Sequence, residues 1–136
     1  MERCEEGWEE HGDHCYLWST EKMSWTAAED FCQQEGGHLA SVTSNETRAY
    51  VIAGRESRGF IEIYLGGNDI ENEGVWKWAD CTPWELEFWG PGQPSGGEDC
   101  LAQYKNYPWN DVQCFRKFEF VCSKKICAGM SKFYNN

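Results

Sequence analysis

The sequence predicts an α+β domain, on three observations. Between Ser24 and Gly59 apolar residues recur at helical spacing in two blocks. After residue 60 they give way to short runs of strand character, broken by segments that carry glycine and proline. Eight cysteines among 136 residues supply cross-links and point to an oxidising compartment. A chain of this length, 40% hydrophobic and with eight tryptophans, can bury a core as one domain.

The elements follow in order. Cys4 and Cys15 bracket a short hairpin that a disulfide would close, and Cys15 to Ser19 reads as its outgoing strand. Ser24 is the N-cap of a helix over Trp25 to Gln34, with Trp25, Ala28, Phe31 and Cys32 on its buried face and Gly36-Gly37 ending it. Thr43-Ser44-Asn45-Glu46 has the capping-box pattern and starts a second helix that runs to about Arg55 and stops before Gly59. Asn45-Glu46-Thr47 is also a glycosylation sequon, disfavoured by its place at a helix start. Ile61 to Leu65 and Val75 to Trp78 read as strands, as do Leu101 to Tyr104, Asp111 to Cys114 and Phe118 to Cys122. Between them residues 79–99, with Pro83, Pro91 and Pro94, make an irregular loop of the length that usually carries function.

Charge narrows the partners. A formal net charge of -11 argues against nucleic acid or an anionic membrane as the partner. The N-terminal acids Glu2, Glu5, Glu6, Glu9, Glu10 and Asp13 read as a solvated face. Asp69, Glu71, Glu73, Glu98, Asp99 and Asp111 lie instead on segments rich in glycine and asparagine, as metal-binding loops do. There is no Cys-x-x-Cys, and His11, His14 and His38 are scattered, which argues against zinc. No apolar run approaches a membrane span. No signal peptide is present although the cysteines imply secretion, so a mature, extracellular form with an added Met1 is expected. No nucleophile–histidine pairing is present by motif, so a binding protein is expected and not an enzyme.

The most informative stretch is Gln93-Pro94-Ser95-Gly96-Gly97-Glu98-Asp99-Cys100, followed by Trp109-Asn110-Asp111. It gathers amide and carboxylate oxygens around a proline, a donor set that suits Ca²⁺. Ser95 is the weak member, because a neutral, short hydroxyl stands where a stronger oxygen ligand is expected.

From Cys4 to Cys122 the chain resembles a C-type lectin-like domain of the long form, found in secreted single-domain C-type lectins. The resemblance rests on the Cys4/Cys15 hairpin, the first helix ending at Cys32, GGHLASV (36–42), IYLGGND (63–69), GVWKWAD (74–80), WGPGQPSGGEDC (89–100), PWNDVQC (108–114) and FVC (120–122). It implies one lectin-like domain over residues 1–136, with its core at 4–122 and a short tail at 123–136. Two helices would pack on small antiparallel sheets beside a long functional loop. It also implies the disulfides Cys4–Cys15, Cys32–Cys122 and Cys100–Cys114. Cys81 and Cys127 remain, to pair with each other or, through Cys81, to bridge two chains; the internal pair is the expectation. Tyr64 departs from the family's usual small or branched residue.

By the same resemblance Gln93, Ser95, Glu98, Asn110 and Asp111 form the principal Ca²⁺ and sugar site, with a cis peptide before Pro94. Asp69, Glu73, Glu98 and Asp99 match an auxiliary Ca²⁺ position. Two vicinal sugar hydroxyls would sit on the ion, and Gln-Pro in the tripeptide tilts the expectation toward galactose-type sugars. Gly96-Gly97 stand where an aromatic platform is expected; Trp84, Phe88 or Tyr107 are the substitutes, and Trp89 and Trp109 read as core. The leading reading is therefore a secreted Ca²⁺-dependent lectin of innate recognition that binds cell-surface or microbial glycans and is open to homo-oligomerisation. The alternatives are a protein-binding module without sugar and an antifreeze-type relative, to which the charge is poorly suited.

Overall fold

Ser24 and Gly59 bracket the helical part of the fold. The computed structural model describes residues 3–105 and 108–126. The Ser24 hydroxyl accepts the Ala27 N–H and opens α1 (Trp25–Gln34), whose buried face is Trp25, Ala28, Glu29 and Cys32. Phe31 is only half-buried. Glu29 enters that face because its carboxylate is satisfied, accepting from Gln33, His38 and the Leu39 N–H.

The second helix, α2 (Asn45–Arg58), begins one residue later than the capping-box reading placed it. Ser44, not Thr43, is the N-cap and accepts the Thr47 N–H at 3.0 Å. That shift puts Thr47 where a reciprocal Glu would stand, and leaves Glu46 in the first turn to face the positive end of the helix dipole. The helix also runs to Arg58, because Gly59 closes it in the left-handed conformation.

Around the helices run β1 (Glu9–His11), β2 (His14–Trp18), β3 (His38–Leu39), β4 (Glu62–Asn68), β5 (Lys77–Trp78), β6 (Cys100–Tyr104), β7 (Trp109–Val112) and β8 (Glu119–Lys125). The sheet order is β1-β2-β8-β4-β6-β7, with β3 on β8 and β5 on β4. The expectation of purely antiparallel sheets fails at one place: β4 and β8 pair in parallel, Ile63 with Glu119 and Tyr64 with Phe120. The reason is the route of the chain. β6 and β7 each reverse direction, so β8 returns along β4 in the same sense. β8 then continues past Cys122 to Lys125, pairing with β2 and joining the N-terminal hairpin to the rest.

Tyr64 has a use in this arrangement. Its ring packs on Phe118 at 5.0 Å, and its hydroxyl donates to the Arg116 carbonyl at 2.6 Å, which ties the connection into β8 against β4. Disulfides Cys4–Cys15, Cys32–Cys122 and Cys100–Cys114 close the hairpin, join α1 to β8, and lock β6 to the segment after β7. The wide Cys32–Cys122 loop spans 90 residues and contributes roughly 4 kcal/mol on a chain-entropy estimate.

The inner face of α2 approaches β2 closely at Gly54. A Cβ there would lie 2.2 Å from a ring carbon of Trp18, whose other flank carries the Arg58 guanidinium at 4.3 Å. In an exposed helix Gly→Ala gains up to about 1 kcal/mol. Here Gly54→Ala is expected to destabilise by about 1–3 kcal/mol through overpacking, measured as a lower urea midpoint. An unchanged or higher midpoint would show that Trp18 has room to yield.

Candidate functional site

The loop over residues 79–99 has almost no regular structure, yet it is held at one point. Trp109, fully buried, is a hub for Trp78 at 5.5 Å, Trp89 at 5.8 Å, Trp84 at 5.7 Å and Phe88 at 5.2 Å. Its backbone takes part as well: the Trp109 N–H donates to the Phe88 carbonyl, and the Gly90 N–H donates to the Trp109 carbonyl. Trp109 thus sits in the core, as the sequence suggests, while Trp89 is half-buried against it. Trp84 and Phe88, weighed as platforms for a sugar, also pack against this cluster. Tyr107 lies outside the described residues.

Two residues along β7 the same face presents Asp111. The Gln93–Pro94 peptide is cis, and the chain after it folds over the Asp111 carboxylate. Ser95 N–H donates to Oδ1 at 2.7 Å, Gly96 N–H donates to Oδ2 at 2.9 Å, and the Ser95 hydroxyl lies 3.0 and 3.1 Å from the two oxygens. Gln93 answers from the other side, its Oε1 accepting the Asp111 N–H at 3.3 Å. Glu98 lies 3.4 Å from the Ser95 hydroxyl. Gln93, Ser95, Glu98 and Asp111 are therefore one hydrogen-bonded cluster, with Asn110 half-buried beside Asp111 on β7.

Glu98 and Asp99 diverge. Glu98 faces Ser95, whereas Asp99 joins Asp69 and Glu73, the three offering carboxylate oxygens within 4.8 Å of one another. The described structure thus brings together three of the four residues assigned to the auxiliary position. Asp69 is only 2% exposed. Its Oδ2 accepts the Gly74 N–H at 2.8 Å, but with both carboxyls ionised its Oδ1 and the Asp99 Oδ1 are buried without a partner. A buried acceptor left without a partner costs about 1–3 kcal/mol, more when charged, and a cation would satisfy both oxygens. The crowding also moves a titration: Asp69, through a shared hydrogen bond, then burial and Glu73, raises the Asp99 carboxyl to about 6. The acidic cluster accordingly fits a hard divalent cation.

Two contacts were not legible from residue spacing. One is the seat of the Ser95 hydroxyl on Asp111, where the sequence suggests only a weakened ligand. The other is the Gly97 N–H donating to Glu73 at 3.1 Å, which links the acidic cluster to the loop. Neither has a sequence signal, since both join segments 16 or more residues apart. Cys81 is exposed and forms no disulfide among the described residues, and its expected partner Cys127 lies outside them. Asn45 of the sequon is exposed as the first residue of α2.

Comparison with known proteins bears on this arrangement. Residues 21–124 match the family model described as Lectin C-type domain. The chain is 37% identical over 134 residues to human C-type lectin domain family 10 member A, covering 88% of this chain and 39% of that protein. It is 32% identical over 133 residues to the galactose-specific lectin nattectin of Thalassophryne nattereri, covering 90% of this chain and 81% of that one. Among solved structures, human lithostathine superposes with a TM-score of 0.85 at 28% identity, covering 90% of this chain and 99% of that one. The chain spans under half the length of the first curated relatives it matches. With the fold, the three disulfides and a family match over most of its length, the chain belongs to the C-type lectin domain family.

Proposed function

We propose that this domain is an extracellular, Ca²⁺-dependent carbohydrate-binding lectin of innate recognition, with a preference for galactose-type sugars. The observation that carries the reading is the convergence of Gln93, Ser95, Glu98 and Asp111 around the cis Gln93–Pro94 turn, with Asn110 next to Asp111 on β7. A galactose-specific lectin and an asialoglycoprotein receptor among the relatives support the sugar class. No helix among the described residues is long and apolar enough to cross a membrane.

The chemistry follows from the donors. Because the Gln93 carbonyl oxygen is held by the Asp111 N–H, its NH₂ is the end left to donate to a sugar oxygen. The half-buried Asn110 amide supplies a similar group, and the Glu98 carboxylate accepts from a sugar hydroxyl. Ca²⁺ bound between Asp69, Glu73 and Asp99 would supply the positive charge that lets these carboxylates stay ionised together. Through the Gly97–Glu73 hydrogen bond that cluster also steadies the loop. Removing one hydrogen bond to a charged acceptor costs about 1.5–3 kcal/mol, so the missing carboxylate at Ser95 makes monovalent binding weak. Useful avidity then comes from several domains on one particle.

A second reading, a module that binds a protein ligand, is favoured by the way Ser95 and Gly96 already satisfy Asp111. A glycan array run in Ca²⁺ and in chelator separates the two. The lectin reading expects galactose-terminated glycans to bind in Ca²⁺ and to be lost in chelator. Silence in both conditions would favour the protein-ligand reading, and tight mannose binding would refute the sugar preference. Gln93→Ala is expected to weaken the array signal by tenfold or more.

The acidic cluster gives a pH test. In chelator the Asp99 carboxyl titrates near 6, above its unfolded value of 3.8, so the folded state holds the extra proton between those values. Its contribution to stability is present below 3.8 and is lost as pH rises through about 6. Ca²⁺ favours the ionised form and is expected to raise the melting temperature more at pH 7.5 than at pH 5. An increment that does not vary with pH would remove Asp99 from the cation site.

A further inference from the structure

The two carboxylate groups of the site are treated in opposite ways. At Asp69 and Asp99, buried oxygens lack partners. At Asp111, 3% exposed, both oxygens are taken by the dipeptide that follows Pro94. We propose that the Ser95 hydroxyl replaces a cation against Asp111, so that the Ser95–Gly96 end of the recognition loop is set without metal and the domain binds a single divalent ion, between Asp69, Glu73 and Asp99. The proposal rests on the reading of residues 93–98 as the recognition loop.

The position of the hydroxyl is the argument. Ser95 Oγ lies 3.0 Å from Oδ1 and 3.1 Å from Oδ2, nearly equidistant, which puts it close to the bisector of the carboxylate. A chelated Ca²⁺ sits on the same line at about 2.3–2.6 Å from each oxygen. The two cannot occupy it together. The remaining capacity of the carboxylate is used by Ser95 N–H at 2.7 Å and Gly96 N–H at 2.9 Å. Gln93, the other ligand expected from the tripeptide, has its carbonyl oxygen on the Asp111 N–H. The groups of Gln93, Ser95 and Asp111 that would meet an ion here are therefore spent on one another. Three neutral donors balance the one buried charge, as a satisfied carboxylate requires.

The acidic cluster shows the reverse pattern. Three carboxylates face one another with two orphaned oxygens, and among the described residues the donors the geometry gives them are the backbone N–H groups of Gly74 and Gly97. Gly97 marks the coupling. Ser95 and Gly96 are held by Asp111, and the next residue is held by Glu73. The loop thus has one end set by a hydroxyl and the other set beside an ion. Ca²⁺ dependence of recognition then passes through Glu73, not through a sugar resting on metal.

Native mass spectrometry of the whole chain titrated with Ca²⁺ alone tests this. One ion per chain is expected, none in Asp69→Asn, and one still in Asp111→Asn. Ser95→Asp, which adds a carboxylate and removes the hydroxyl, is expected to take two. Hydrogen exchange in chelator should find the Ser95 and Gly96 amides slowed at least tenfold relative to the exposed Gly92 amide, and Ser95→Ala should speed both while leaving the ion count at one. Two ions in the native chain, none at all, or Ser95 and Gly96 exchanging as fast as Gly92 would each overturn the proposal. Should Ser95→Ala fail to fold, the ion count of the native chain and the exchange of its amides decide alone. Loss of the glycan-array signal in a chain that binds one ion and keeps these amides protected would overturn the lectin reading and leave this one standing.

Discussion

Burial of Trp109 is the constraint on which the rest of the site depends. A loop of this length without regular structure has no ladder of hydrogen bonds to fix it, and its conformational entropy is large. Here the cost is offset at one locus. Trp78, Trp84, Phe88 and Trp89 meet the Trp109 ring, and the backbone on either side of Trp89 bonds to the backbone of Trp109. Because side chains alternate along a strand, fixing Trp109 also fixes Asp111 on the same face two residues on. The loop reaches Asp111 from a point only a few residues away, Gly90, which the Gln93 N–H also engages. The Cys100–Cys114 disulfide closes the far end of this pair of strands, so β6 and β7 cannot slide relative to each other.

Electrostatics explains why the site is built from two clusters and not one. A domain of net charge -11 gathers acids where its loops meet, and like charges at short range destabilise the fold. Asp111 escapes by accepting from Ser95 and Gly96. Asp69, Glu73 and Asp99 do not escape, and the raised carboxyl of Asp99 is the measure of it. A proton relieves the strain at low pH, and a divalent cation held between the three would relieve it at neutral pH. Glu98 and Asp99, adjacent in sequence, end up on opposite sides of this division, one beside Ser95 and one beside Asp69.

Much of this was legible in the sequence because it is written in local or covalent terms. The helix over Trp25–Gln34 and its Ser24 cap follow from a short pattern, and the three disulfides follow from cysteines placed as the family resemblance implies. The second helix cap slipped by a residue because Thr43 and Ser44 are both competent caps by residue type, and the Ser44 hydroxyl is the one that accepts the Thr47 N–H. The strand expected over Asp111–Cys114 lies at Trp109–Val112, since pairing with β6 sets its register and Cys114 is taken by the bridge. The parallel pairing of β4 with β8 has no local signature. Ser95 illustrates the limit best. Its identity shows that a carboxylate is missing, but where its hydroxyl goes depends on a strand sixteen residues later.

The same accounting bears on affinity. Lectins that stack a sugar on an exposed ring use apolar area that a polar loop lacks. In this domain the rings nearest the loop are committed to holding it: Trp84 and Phe88 pack into the cluster around Trp109, and Gly96 and Gly97 offer no side chain. Arg48 covers the Phe88 ring at 4.6 Å, which closes that face further. On the lectin reading proposed above, recognition would come from hydrogen bonds made by Gln93, Asn110 and Glu98, each of which exchanges a water partner for a sugar hydroxyl and gains little net free energy. Such a surface discriminates by geometry more than it binds by area. Aromatic residues that order the loop are not free to grip a ligand, so on the proposed reading a rigid loop and weak single-site binding would be two consequences of one packing arrangement.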